Sequence, residues 1–248
     1  HQHAAVFFGR ELQIVPRRAL GVFLELERRA VAVRGGQREA CDRTLRHAEC
    51  QQRRIVPRHD IPPAGADVLE YRKNKVAEAE RFAAMLGGEA IVLDHSDGLL
   101  PDNDDVRFEV CDVIRRVKPD IIVTHHEKSM HKDHAACHRI VVDAWFYAAI
   151  EGFRRELPKH FARSLYFAEN WEDAIDFKPY VYLDVSAGYE LWEKAIDCHW
   201  FAVHSTSFPY KEYYAHLKRL RGIEGRRQYC ECFMIQPEQM HIVKDWDK

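Results

Sequence analysis

At 248 residues, 46% of them hydrophobic and 31% charged, the chain has apolar material for one sizeable core or two small ones. A formal net charge of −2 excludes the whole chain as an electrostatic partner of nucleic acid or anionic lipid. No apolar run approaches the roughly 20 residues of a membrane span. The opening HQHAAVFFGRELQ lacks a basic start followed by a sustained apolar segment, so no signal peptide is expected. Seven cysteines without a regular framework fit reduced thiols in the cytoplasm. The lone C-x-C of Cys230 and Cys232 has no second pair to complete a zinc site and reads as packing.

Residues 1–66 differ in composition from the rest. They hold twelve Arg and seven acids but no Lys, Asn, Tyr or Trp, whereas all ten Tyr and all five Trp follow. ALGVFLELERRAVAV (19–33) is consistent with one helix or two short strands, and VPRHDIPPAGAD (56–67) reads as loop around three prolines. The arginines are interleaved with glutamate rather than clustered, which argues against a nucleic-acid arm. The chain starts with His, and the missing residue types are mostly those of AT-rich codons. Such a segment is expected of a frame-shifted or degraded first βαβ unit.

From residue 67 the pattern becomes regular. DVLEYRKNKVAEAERFAAMLGG predicts an amphipathic helix with Val68, Leu69, Val76, Ala79, Phe82, Ala83 and Leu86 inward, stopped by Gly87 and Gly88. EAIVLDH predicts a short strand and SDGLLPDN a loop. DDVRFEVCDVIRRVK predicts a helix with acids in its first turn and bases in its last, complementing the helix dipole. After Pro119, DIIVTHH predicts a buried strand. Helix, strand, helix, strand with tight connections implies an α/β fold, a parallel sheet flanked by helices, with ligands at the carboxyl ends of the strands. Farther on, SLYFAEN and PYVYLDVS predict strands, AGYELWEKAIDCHWFAVHS one helix, and YKEYYAHLKRLRG another ending at Gly222.

At the end of the second strand the stretch THHEKSMHKDHAACH (124–138) gathers five histidines and two acids. Imidazole with carboxylate is what a metal or acid–base site needs. His131 and His134 are one helical turn apart and can face a single point. Asp133 at a helix start has the alternative reading of a capping acid. Of His125 and His126, neighbours near a strand end, one should point into the site and the other away. His138 reads as a structural histidine, and His199 and His204 as packing beside Trp200 and Phe201.

KPDIIVTHHEKSMHKDHAACHRIVVDA resembles the second signature of the LmbE-like, or PIG-L, deacetylase family: Pro-Asp, an apolar strand, then His-x-Asp-His opening a helix. RKNKVAEAERFAAMLGGEAIVLDHSDGLL resembles the family's Arg-headed helix, strand and Asp-Gly turn. KAIDCHWFAVHS resembles its Lys- and His-bearing helix, and RGIEGRRQYCECFMI its closing Arg-Gly and Tyr-x-Glu-x-Phe segment. The resemblance spans about 67–235. It implies a Rossmann-like α/β domain over 67–248, preceded by the atypical segment. It also implies one zinc ion and hydrolysis of the acetamide of an N-acetylglucosamine-type substrate, a small amino-sugar conjugate, to amine and acetate. By motif position, His134 would be a metal ligand, His131 would stabilise the oxyanion, and Asp133 would orient that histidine. Arg72 and Asp97 would contact substrate, although Lys75 stands where an acid usually follows that arginine.

The family's first signature, Ala-His-x-x-Asp after the first strand, supplies further metal ligands and does not occur in 1–66; His59-Asp60 has the wrong spacing. One histidine cannot hold catalytic zinc, for which three protein ligands are typical. Two functions from different classes therefore stand: a zinc-dependent deacetylase, and a non-catalytic sugar-binding module on the same fold.

Overall fold

Two side-chain caps start the helices that frame the sheet. Asp67 Oδ1 accepts the Leu69 and Glu70 N–H groups and opens α1, Val68–Met85. Asn103 Oδ1 accepts the Val106 N–H at 3.1 Å and opens α2, Asp104–Val117. Lys118, left-handed at φ 53°, closes α2 just before Pro119. The computed structural model describes residues 3–8, 11–16, 67–96, 98–173 and 175–236, the first two stretches as backbone. The expected features of 19–33 and 56–66 lie outside the described residues, as does Asp97.

The strands are β1 His3–Phe8, β2 Glu11–Pro16, β3 Glu89–Val92, β4 Ile121–His125, β5 Ser164–Ala168, β6 Val181–Asp184 and β7 Cys230–Ile235. They form one sheet in the order β3-β2-β1-β4-β5-β7-β6. β4 runs parallel to both β1 and β5, while β2 and β7 run antiparallel to their neighbours. The parallel sheet inferred from sequence is therefore the centre of a mixed one. The remaining helices are α3 Lys132–Ala149, α4 Tyr189–Ala195, α5 Trp200–His204 and α6 Tyr210–Glu224.

Alternation along β4 divides the core. Ile122 packs with Val110, Ile114, Ile140 and Leu165 under α2 and α3. Val123 packs with Phe82, Trp192, Tyr214 and Phe233 under α1, α4 and α6. Helices thus cover both faces, as the helix–strand alternation implied.

Three local expectations are corrected. Leu69 is 66% exposed, whereas Lys75 and Glu78 of the same helix are buried as an ion pair at 2.8 Å. Hydrophobic periodicity could not anticipate a paired charge inside. The predicted helix over 187–205 is broken: a 3-10 turn follows α4, and His199 is extended before α5 begins. α6 runs through Gly222 to Glu224. Among the described residues, no helix is long and apolar enough to cross a membrane.

Candidate functional site

β4 is flanked on both sides by parallel strands, so its carboxyl end opens onto the crevice where such sheets place ligands. His125 is its last residue, and α3 returns from that point with His131 as its N-cap. The His131 Nδ1 accepts the Asp133 N–H at 3.2 Å, so in the neutral ring the proton sits on Nε2. The N-cap is thus His131, and Asp133 is not the capping acid. The buried Asp133 carboxylate instead accepts the Leu100 N–H at 3.4 Å, tying the loop after β3 to the start of α3.

His134 is buried at the centre. Its ring stacks on His125 with centroids 3.9 Å apart and on His131 at 4.5 Å. Around its Nδ1 lie Ser129 Oγ at 3.3 Å, Asn170 Nδ2 at 3.2 Å and Glu172 Oε2 at 3.2 Å. Asn170 Oδ1 accepts the Glu172 N–H at 3.1 Å, which orients the carboxamide with its NH2 toward His134. A carboxylate and an amide donor thus meet one imidazole nitrogen, an arrangement suited to moving a proton. Asn170, Glu172 and the buried Asp173 follow β5: SLYFAEN predicts a strand through Asn170, but the strand stops at Ala168, and the sequence pattern gives none of the three a site role. The available signal was their place after a buried strand parallel to β4, where the same crevice continues.

His126 turns away from the ring stack. Its Nε2 is 3.0 Å from the Ile175 carbonyl, and its ring meets Phe177 edge-on. Lys128 pairs with Asp176 beside it, joining the loop after β4 to the loop after β5. His138 Nδ1 is 2.8 Å from the His125 carbonyl, and burial lowers its pKa, so it is structural. Cys230 and Cys232 are buried free thiols, packing as expected, whereas His204 is exposed and stacks on Trp200 at the surface. Arg72 pairs with Asp94 at 2.6 Å, just past β3. The structure therefore brings together His131, Asp133 and His134, and holds Arg72 of α1 against Asp94, just past the strand two removed from β1.

The zinc implied by the resemblance can be tested against this donor set. Among the described residues, no three His, Cys, Asp or Glu side chains are arranged to hold a metal ion. The planes of His125 and His134 differ by 4°, so their in-plane lone pairs run side by side rather than converging. The described residues do not fit a complete metal site.

Residues 35–145 match the family described as PIG-L: GlcNAc-PI de-N-acetylase. A 4-oxalmesaconate hydratase of Pseudomonas putida (strain KT2440) is 26% identical over 165 residues, 64% of this chain. The chain spans 62% of that relative's length. Among solved structures, the 4-carboxy-2-hydroxymuconate hydratase of P. putida KT2440 superposes with a TM-score of 0.65 at 21% identity, covering 73% of this chain and 79% of that one. The N,N'-diacetylchitobiose deacetylase of Pyrococcus horikoshii gives 0.58 at 20% identity, covering 75% and 72%. At these identities the structural likeness establishes the fold.

Proposed function

Because the chain carries a PIG-L (LmbE-like) family domain over residues 35–145, we propose that it hydrolyses the acetamide of an N-acetylglucosamine-type amino-sugar conjugate. Water adds to the acyl carbon, the C–N bond breaks, and the departing nitrogen takes a proton, leaving an amine and acetate. The observation that carries this reading is the meeting of Glu172 and Asn170 at the Nδ1 of His134. A histidine between a carboxylate and an amide donor can take a proton from one group and return it to another. His131 offers its Nε2–H to the developing oxyanion, and Asp133 holds the Leu100 backbone against the site. Arg72 and Asp97 are assigned to the substrate's polar groups. The compartment is proposed to be the cytoplasm.

A second reading is hydration of an unsaturated carboxylate, and the 26% identical relative favours it. Such an anionic substrate needs cations around the reacting atoms. The groups near His134 instead include Asp133 and Glu172, which suits a site releasing a protonated amine.

One experiment separates the readings. The full chain is incubated with N,N'-diacetylchitobiose while primary amine is quantified, and in parallel with 4-carboxy-2-hydroxymuconate while its ultraviolet absorbance is followed. Amine release is the expected result. Loss of absorbance alone would transfer the protein to the hydratases, and saturable chitobiose binding without turnover would make it a sugar-binding module.

A further inference from the structure

The helix expected over 187–205 breaks where it meets α1, and the break gathers soft donor atoms. Cys198 ends the 3-10 turn and His199 is extended, so these consecutive side chains both face α1. Cys198 Sγ donates to Met85 Sδ at 3.4 Å. The His199 ring lies against Phe82, centroids 5.2 Å apart, with its Nδ1 4.0 Å from Glu78. Glu78, Phe82 and Met85 follow one another at four and then three residues, on one stripe of α1.

The other nitrogen of His199, Nε2, is buried with no hydrogen-bond partner. Glu78 on the Nδ1 side favours the proton there, which leaves the lone pair on Nε2. Burial, then the charges of Lys75 and Arg81, keeps the ring neutral down to about 3, and neutral imidazole is the form that binds metal.

Thioether, thiolate and neutral imidazole together suit monovalent copper. Charge argues against a divalent ion. Burial raises the Cys198 pKa, with Arg81 opposing, so the thiol keeps its proton and points it at Met85. A monovalent cation in place of that proton leaves the charge of the site unchanged: Cys–SH and Cu+ give Cys–S–Cu and H+. A divalent ion adds a positive charge near Arg81 and Lys75, and Glu78 is already engaged by Lys75.

We infer that Met85, Cys198 and His199 form a binding site for a soft monovalent cation, Cu(I), with the two sulfurs and His199 Nε2 as ligands. Met85 is 42% exposed and Cys198 half-buried, so the sulfurs are reached from solvent. The site uses none of the histidines that follow β4.

The test titrates the reduced full chain with Cu(I) under argon against bicinchoninate, whose copper complex is coloured. Wild type should withdraw one Cu(I) per chain, and X-ray absorption at the copper edge should show two sulfur ligands and one nitrogen. Met85→Leu keeps every thiol and imidazole, while Met130→Leu removes an exposed thioether elsewhere. Met85→Leu and Cys198→Ser should each weaken Cu(I) binding by at least about a hundredfold, beyond the cost of losing an outer partner of a metal ligand. Met130→Leu should leave it unchanged. His199→Phe should remove the nitrogen from the spectrum and keep both sulfurs. Zn(II) affinity should be the same in wild type and Met85→Leu.

Failure of wild type to take Cu(I) from bicinchoninate overturns the site, as does an unchanged affinity in Met85→Leu. A nitrogen retained in His199→Phe overturns the ligand set, and zinc binding that weakens in Met85→Leu overturns the monovalent preference. If Cys198→Ser does not fold, Cys198→Ala takes its place, and Met85→Leu tests the same site from the other sulfur.

Discussion

The imidazoles of His125 and His134 lie face to face, ring centroids 3.9 Å apart and planes within 4° of each other. One ends the central strand and the other is in the first turn of the helix that returns from it. The stack therefore ties strand to helix at the floor of the site, and it directs the edge of His134, not its face, toward Ser129, Asn170 and Glu172.

Shape and chemistry at His134 can be separated. His134→Phe keeps a flat ring against His125 but removes both nitrogens. Turnover should fall by at least about a hundredfold, the scale of a lost acid–base group, while the melting temperature stays closer to wild type than that of His134→Ala. Equal melting temperatures for the two variants would show that the stack contributes nothing to stability.

Burial, followed by the positive charges of Lys75 and Arg81, pushes His199 down to about 3. The side chain is 13% exposed and lies 4.0 Å from Glu78, itself paired with Lys75. Between pH 3 and the ordinary histidine value near 6.5, the unfolded chain binds a proton that the folded chain refuses. Stability should accordingly fall as pH drops through that window, by up to a few kcal/mol. His199→Phe should flatten this part of the profile in urea titrations run from pH 7 to pH 4; an unchanged slope would refute the assignment.

Lys218 and Glu231 form an ion pair at 2.7 Å with side-chain exposures of 1% and 6%, and the ammonium lies 4.4 Å from the Trp192 ring centre. Burial lowers the Lys218 pKa, while Glu231 opposes that shift. Removing one partner leaves a charge in the core, so Glu231→Leu alone should cost about 3–5 kcal/mol. Lys218→Met with Glu231→Leu should recover most of that loss. Denaturant unfolding of the single and double variants measures the difference, and additive losses would contradict the pairing.

Gly222→Ala places a methyl group against main-chain atoms at 2.5 Å and 2.9 Å. Rigid backbone cannot move aside as a side-chain tip can, so a loss of about 1–3 kcal/mol is expected. Thermal unfolding checks it, and an unchanged melting temperature would mean that α6 can shift freely.

Local sequence determined much of this protein. Asn103, the acids of the first turn and the bases of the last specify α2, because capping and dipole interactions act within a turn. The spacing of His131, Asp133 and His134 put them on one turn after a buried strand, and the structure gathers all three there. Only the tertiary structure decided which partners those residues meet. Asn170 reaches His134 across 36 positions because β5 lies beside β4 in the sheet. Buried Lys218 depends on the Glu231 carboxylate of β7, and Gly222 continues a helix because its lack of a side chain admits a neighbouring backbone. Periodicity and caps operate over one or two turns of chain. Burial of a charge, the aim of an imidazole nitrogen and the close approach of two segments arise from sheet order, which no short stretch of sequence contains.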